Sequence, residues 1–137
     1  MEHPSVDLKE RTKKFALRVM RVVRSLPSGL EGRMIGKQLL RSGTSVAANY
    51  RAVCRARSRG EFLAKLAIVI EEADETGFWL ELLTDAGLIP EPKLHDLRSE
   101  ANQLVAIFNA SRTTAKKKGS HSTINNQKST ILNKRAS

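Results

Sequence analysis

Of the 137 residues only one is cysteine, Cys54, so no internal disulfide and no multi-cysteine zinc site can hold the chain. Aromatics make up 4% of it, which leaves few rings for stacking on bases. No apolar run is longer than that of Leu66-Ala67-Ile68-Val69-Ile70, which is far too short to span a bilayer. The N-terminus lacks the basic-then-apolar pattern of a secretory signal. These absences predict a reduced, cytoplasmic protein with no membrane partner. No alternating apolar pattern marks a strand, and no internal repeat is visible. His3, His95 and His121 are the only histidines. No Gly-x-Ser-x-Gly elbow occurs, so Ser42, Thr44 and Ser45 read as caps and small packing residues.

What is present is charge, and it is unevenly placed. Lys and Arg number 24 against 14 Asp and Glu, a net charge of +10. Residues 1–60 carry 14 basic and 4 acidic groups, residues 61–111 carry 3 and 10, and residues 112–137 carry 7 and none. A basic half, an acidic block and a basic tail suit either a polyanion partner or complementary faces meeting between subunits.

Apolar spacing predicts four helices. Leu8, Thr12, Phe15, Val19, Val22 and Leu26 recur at steps of three and four behind Asp7, an expected N-cap. Pro27 ends that helix and Ser28 is placed to cap the next. The second runs from Leu30 to Arg57 with Met34, Ile35, Leu39, Val46, Tyr50 and Val53 on its apolar side. Ser42-Gly43-Thr44-Ser45 predicts a kink or a break in it, and its small residues would let another helix approach closely. Ser58 with Glu61 has capping-box spacing and opens the third, whose stripe is Phe62, Leu66, Val69, Ala73, Thr76, Leu80 and Leu83. Leu63, Ala67, Ile70, Phe78, Trp79 and Leu82 lie outside that stripe, so this helix has apolar area for a second subunit, with Phe78 and Trp79 as interface candidates. Ala86-Gly87 closes it. Leu94, Leu97, Ala101, Leu104, Phe108 and Ser111 mark the fourth. The expected architecture is an all-α, antiparallel up-down four-helix bundle over residues 1–112, followed by a basic, polar, disordered tail over 113–137.

At Ser45-Val46-Ala47-Ala48-Asn49-Tyr50-Arg51-Ala52, then Arg55-Ala56-Arg57-Ser58-Arg59-Gly60-Glu61-Phe62, then Ile70-Glu71-Glu72-Ala73-Asp74-Glu75-Thr76-Gly77-Phe78-Trp79, the chain resembles a bacterial four-helix bundle family. That family is named after proteins encoded in intervening sequences of 23S rRNA genes. Ser45, Asn49, Glu71, Glu72, Asp74 and Glu75 carry the motif. The resemblance implies a left-handed bundle assembled as a homopentamer. A related branch, the accessory proteins of diversity-generating retroelements, implies nucleic acid and a reverse transcriptase as partners. Ala52 stands where the family usually has Glu; if that Glu pairs with an arginine in relatives, one of Arg51, Arg55 or Arg57 lacks its partner here.

Three clusters have chemical potential. Glu71, Glu72, Asp74 and Glu75 invite a metal reading, but no histidine follows a glutamate by three residues, as a di-iron bundle needs. Ion pairing with arginines of the first two helices is the reading that remains, and no cofactor is expected. Cys54 has basic neighbours but no nearby base, and reads as structural. Arg51, Arg55, Arg57 and Arg59 are dense enough to bind phosphates, assisted by Lys13, Lys14, Arg18 and Arg21; they could equally complement the acidic third helix. With no catalytic constellation, the sequence points to a non-enzymatic, homo-oligomeric bundle. Its basic surface would engage RNA or DNA or a partner that handles it. The other reading is an assembly module that binds protein alone.

Overall fold

In a computed structural model, residues 4–136 are described in backbone and residues 8–119 in side-chain environment. Helix α1 spans Pro4–Ser25, α2 Leu30–Cys54, α3 Arg59–Asp85 and α4 Glu91–Ala136. Sequential helices are neighbours and α4 returns to touch α1; among the described residues the helix backbones do not approach across either diagonal, where only side chains such as the Tyr50 and Phe108 rings meet. This is the up-down four-helix bundle that short joints between amphipathic segments produce. No helix among the described residues is long and apolar enough to cross a membrane.

The core is the union of the four predicted stripes. Phe15 and Val19 of α1, Leu39, Val46 and Val53 of α2, Leu66, Val69 and Leu80 of α3, and Leu94, Leu104 and Phe108 of α4 are all buried. Met34 is the exception, 58% exposed rather than on the apolar side of α2. Buried Gly32 and Gly36 occupy the inward face of that turn, so Met34 points outward.

The joints are built from local chemistry. Pro4 opens α1 three residues before Asp7; proline at a first helical position loses no hydrogen bond there. Gly29, not Ser28, is the N-cap of α2, in extended backbone without a side-chain cap bond. Ser58 caps α3 as its spacing predicts: the Glu61 amide donates to Ser58 Oγ at 3.1 Å. The Glu61 carboxylate accepts from the Arg57 amide at 3.4 Å. At the other end Gly87 adopts φ +73°, which lets the Leu88 amide reach Leu83 O and the Gly87 amide reach Thr84 O, both at 3.0 Å.

Two elements differ from expectation. The Ser42-Gly43-Thr44-Ser45 stretch does not break α2, which is continuous through it. Gly43 faces the Val19 side chain too closely to admit a Cβ. The Thr44 hydroxyl bonds to Leu40 O within the helix, at 2.7 Å. Ser42 and Thr76 hydroxyls lie 2.9 Å apart, and each reaches a carbonyl of its own helix, Leu39 O and Glu72 O. The supposed breakers thus form a close seam of the bundle. Likewise α4 does not end at Arg112. No proline or glycine interrupts it between Pro92 and Gly119, and Ala115 to Lys118 are good helix formers. Periodicity ends at Ser111 because, among the described residues, the helix has passed its last buried core residue, Phe108. The tail side chains from Ser120 onward lie outside the described residues.

Candidate nucleic-acid interface

The basic residues resolve into separate groups. Antiparallel docking of α1 on α2 sets Lys9 and Lys13, one turn apart, opposite Arg51 and Arg55, also one turn apart. With Arg57 of the α2–α3 joint and Lys65 of α3, they line a groove of about 870 Å³. Thr44, Ala47, Ala48 and Ala52 are among its other residues, and they keep it open between the cationic rows. Two carboxylates line it, Glu10 and Glu61. Glu61 is bridged by Lys65 at 3.1 Å. The bonds from Lys65 and from the Arg57 amide hold the Glu61 carboxyl below its ordinary value.

Of the predicted cations, Lys13, Arg51, Arg55 and Arg57 come together here. Lys14, Arg18 and Arg21 do not line the groove. Arg59 turns instead into a neighbouring cavity. Lys9 and Lys65 complete the groove and were not singled out from sequence. Their signal was present as Lys9–Lys13 and Glu61–Lys65 spacing at i,i+4, but nothing in sequence says which cationic row of α1 meets α2.

The acidic block pairs elsewhere. Arg41 of α2 bonds to Glu72 at 3.1 Å and also to Glu75. Among the described residues, no ion pair joins Glu71, Glu72, Asp74 or Glu75 to the Arg51–Arg59 cluster. The acidic block therefore does pair with the second helix, but through Arg41, which the sequence reading passed over. The hydrogen bond to Glu75 leads the causes that raise the Arg41 guanidinium. Glu72 is also raised, because burial outweighs the attraction of Arg41 and Glu75 adds repulsion. The two shifts oppose each other for a salt bridge; the carboxyl is the more buried partner, and its desolvation dominates. A second bridge, Arg11 to Glu100 at 2.7 Å, ties α1 to α4.

The remaining motif residues lie outside the groove. Asn49 Nδ2 donates to Ser45 O at 2.9 Å within α2. Glu71 is exposed, and Asp74 lies in a shallow cleft with Gly77, Phe78 and Arg98. Among the described residues no three His, Cys, Asp or Glu side chains gather as metal ligands would. Cys54 is exposed at the end of α2. Phe78 is 50% exposed. Trp79 is half-buried against the core, its ring 5.0 Å from that of Phe78 and its Nε1 buried without a hydrogen-bond partner.

No curated protein matches the chain. A crystal structure from Bacteroides thetaiotaomicron, of a protein of unknown function from the S23 ribosomal protein family, superposes with a TM-score of 0.72 at 31% identity. The match covers 77% of this chain and 97% of that one. Residues 5–110, nearly the whole bundle, match the family described as 23S rRNA-intervening sequence protein, and the chain belongs to that family.

Proposed function

We propose that this is a non-enzymatic, homo-oligomeric bundle, a pentamer as the family resemblance implies, whose α1–α2 groove binds the phosphate backbone of RNA. One observation carries the reading: Lys9, Lys13, Arg51, Arg55 and Arg57 converge from separate elements on one concave surface, where one of the two carboxylates, Glu61, is already bridged. Arginine forks suit phosphate oxygens, and cations held on helices pre-order the contacts. The groove offers no aromatic ring, so binding follows charge and shape rather than base identity. The family name, which refers to rRNA intervening sequences, supports RNA over DNA as the first ligand to test.

The test is a variant with Lys13→Ala, Arg51→Ala and Arg55→Ala, titrated with structured RNA at several salt concentrations. Loss of three phosphate contacts should weaken binding and flatten the salt slope by about 2–3 units, with melting and oligomeric mass unchanged. Unchanged affinity in a folded variant would overturn the reading.

A further inference from the structure

A second cavity is larger than the basic groove. It lies at the end of the bundle where α1 begins, α2 gives way to α3, and α4 leaves the core. It has a volume of about 1070 Å³. Its floor is apolar, formed by Leu8, Val53, Phe62, Leu66, Ile107 and Phe108. The Tyr50 ring, 5.5 Å from that of Phe108, continues the floor. Its charged residues are all cations: Lys9, Arg57, Arg59 and Lys118. Among the described residues no carboxylate lines it.

We infer that this cavity binds a small amphipathic anion, an acyl-type apolar body ending in one carboxylate or phosphate. The apolar floor gains by losing water, which a nucleic-acid backbone cannot achieve because its charges would have to be buried there. Four cations with no matching carboxylate favour a negative head, which an uncharged oil does not supply. The two requirements are met together only by a ligand with both parts. A pocket of mainly apolar lining with a few convergent charges is the usual form of a small-molecule site. Lys9 and Arg57 stand between cavity and groove, whereas Arg59, Lys118 and the floor belong to the cavity alone. The inference stands without the RNA reading.

Cys54, the only cysteine, lines the cavity and reports on its occupancy. The full chain is titrated with dodecanoate below its micellar concentration, and the alkylation rate of Cys54 by iodoacetamide is followed. Saturable binding that slows alkylation at least fivefold is expected, with dodecanol binding at least tenfold more weakly. Arg59→Ser with Lys118→Ser should weaken dodecanoate at least tenfold at unchanged melting temperature. The Lys13, Arg51 and Arg55 variant should retain it, so failure of one site is distinguishable from failure of the other. Ala115→Trp, which fills the mouth from an α4 position beyond the core, should abolish binding. Unaltered Cys54 reactivity, equal affinity for dodecanol, or full binding by the folded Arg59 and Lys118 variant would overturn the inference. Capture by anionic phospholipid vesicles without binding of free dodecanoate would also overturn it, in favour of a membrane surface.

Discussion

A Cβ built on Gly43 would stand 2.7 Å from Val19 Cγ1, so glycine at this point of α2 is what lets α1 seat against it. Val19 is fully buried and its other methyl is nearly as close, so no rotamer relieves the contact. Gly43→Ala should therefore destabilise by about 1–3 kcal/mol through overpacking, although alanine in a helix is otherwise favoured by about 1 kcal/mol. Denaturant titration measures the loss. Adding Val19→Ala should recover part of it, and the double-mutant cycle should show coupling. A Gly43→Ala variant more stable than the parent would mean that the helices can separate freely.

Arg41→Ala leaves Glu72 and Glu75 facing each other without their shared cation. Glu72 is already raised by burial, so its folded form takes up a proton more readily than the unfolded chain does. A raised carboxyl contributes stability that is present below its ordinary value of 4.5 and lost as pH rises through the folded value. Removing Arg41 enlarges that loss. The drop in melting temperature should be larger at pH 7 than at pH 5, and Glu72→Gln in the Arg41→Ala background should remove the difference.

Glu61 has the opposite sign. Its carboxyl is held low, so its contribution is complete above 4.5 and is lost as pH falls through the lower folded value. Glu61→Gln should leave the melting temperature at pH 7 slightly lowered and flatten the acid limb of the melting curve below pH 4.5. An unchanged acid limb would show that the bridge to Lys65 carries no stability.

Ala52→Glu would place a carboxylate among the cations of the groove, where the family usually carries one. On the phosphate-binding reading it should weaken RNA several-fold while melting stays level or rises. Filter binding at fixed salt and thermal melting decide this together. Tighter RNA binding would show that the groove is not where phosphates sit.

Removing residues 113–137 should shift the melting temperature by a few degrees at most, because among the described residues the last buried core residue of α4 is Phe108. The same truncation removes Thr114, Ala115 and Lys118 from the cavity wall. A large fall in melting temperature would show that this segment docks on the bundle. Light scattering of the intact chain should give a multiple of 15.2 kDa.

The sequence by itself determined the four helices, most of their inward stripes and the punctuation at Ser58 and Gly87. Each is a local matter of period, as in Leu94 to Phe108, or of a single residue's backbone, as at Ser58 and Gly87. It determined family membership for a related reason: the motif residues sit at fixed helical spacing. Tertiary structure alone decided how the small residues at Ser42 and Gly43 are used. Their low helix propensity predicts a break, but the neighbours that reward them, Val19 and Thr76, are far away in the chain. It also decided which charges meet. Helix α1 carries one cationic row at Lys9 and Lys13 and another at Lys14, Arg18 and Arg21, and only the rotation of α1 against α2 brings the first to Arg51 and Arg55. The acidic residues of α3 likewise found Arg41, a partner one helix away at matching height. Helical period fixes which residues share a face, and packing between helices fixes what that face confronts.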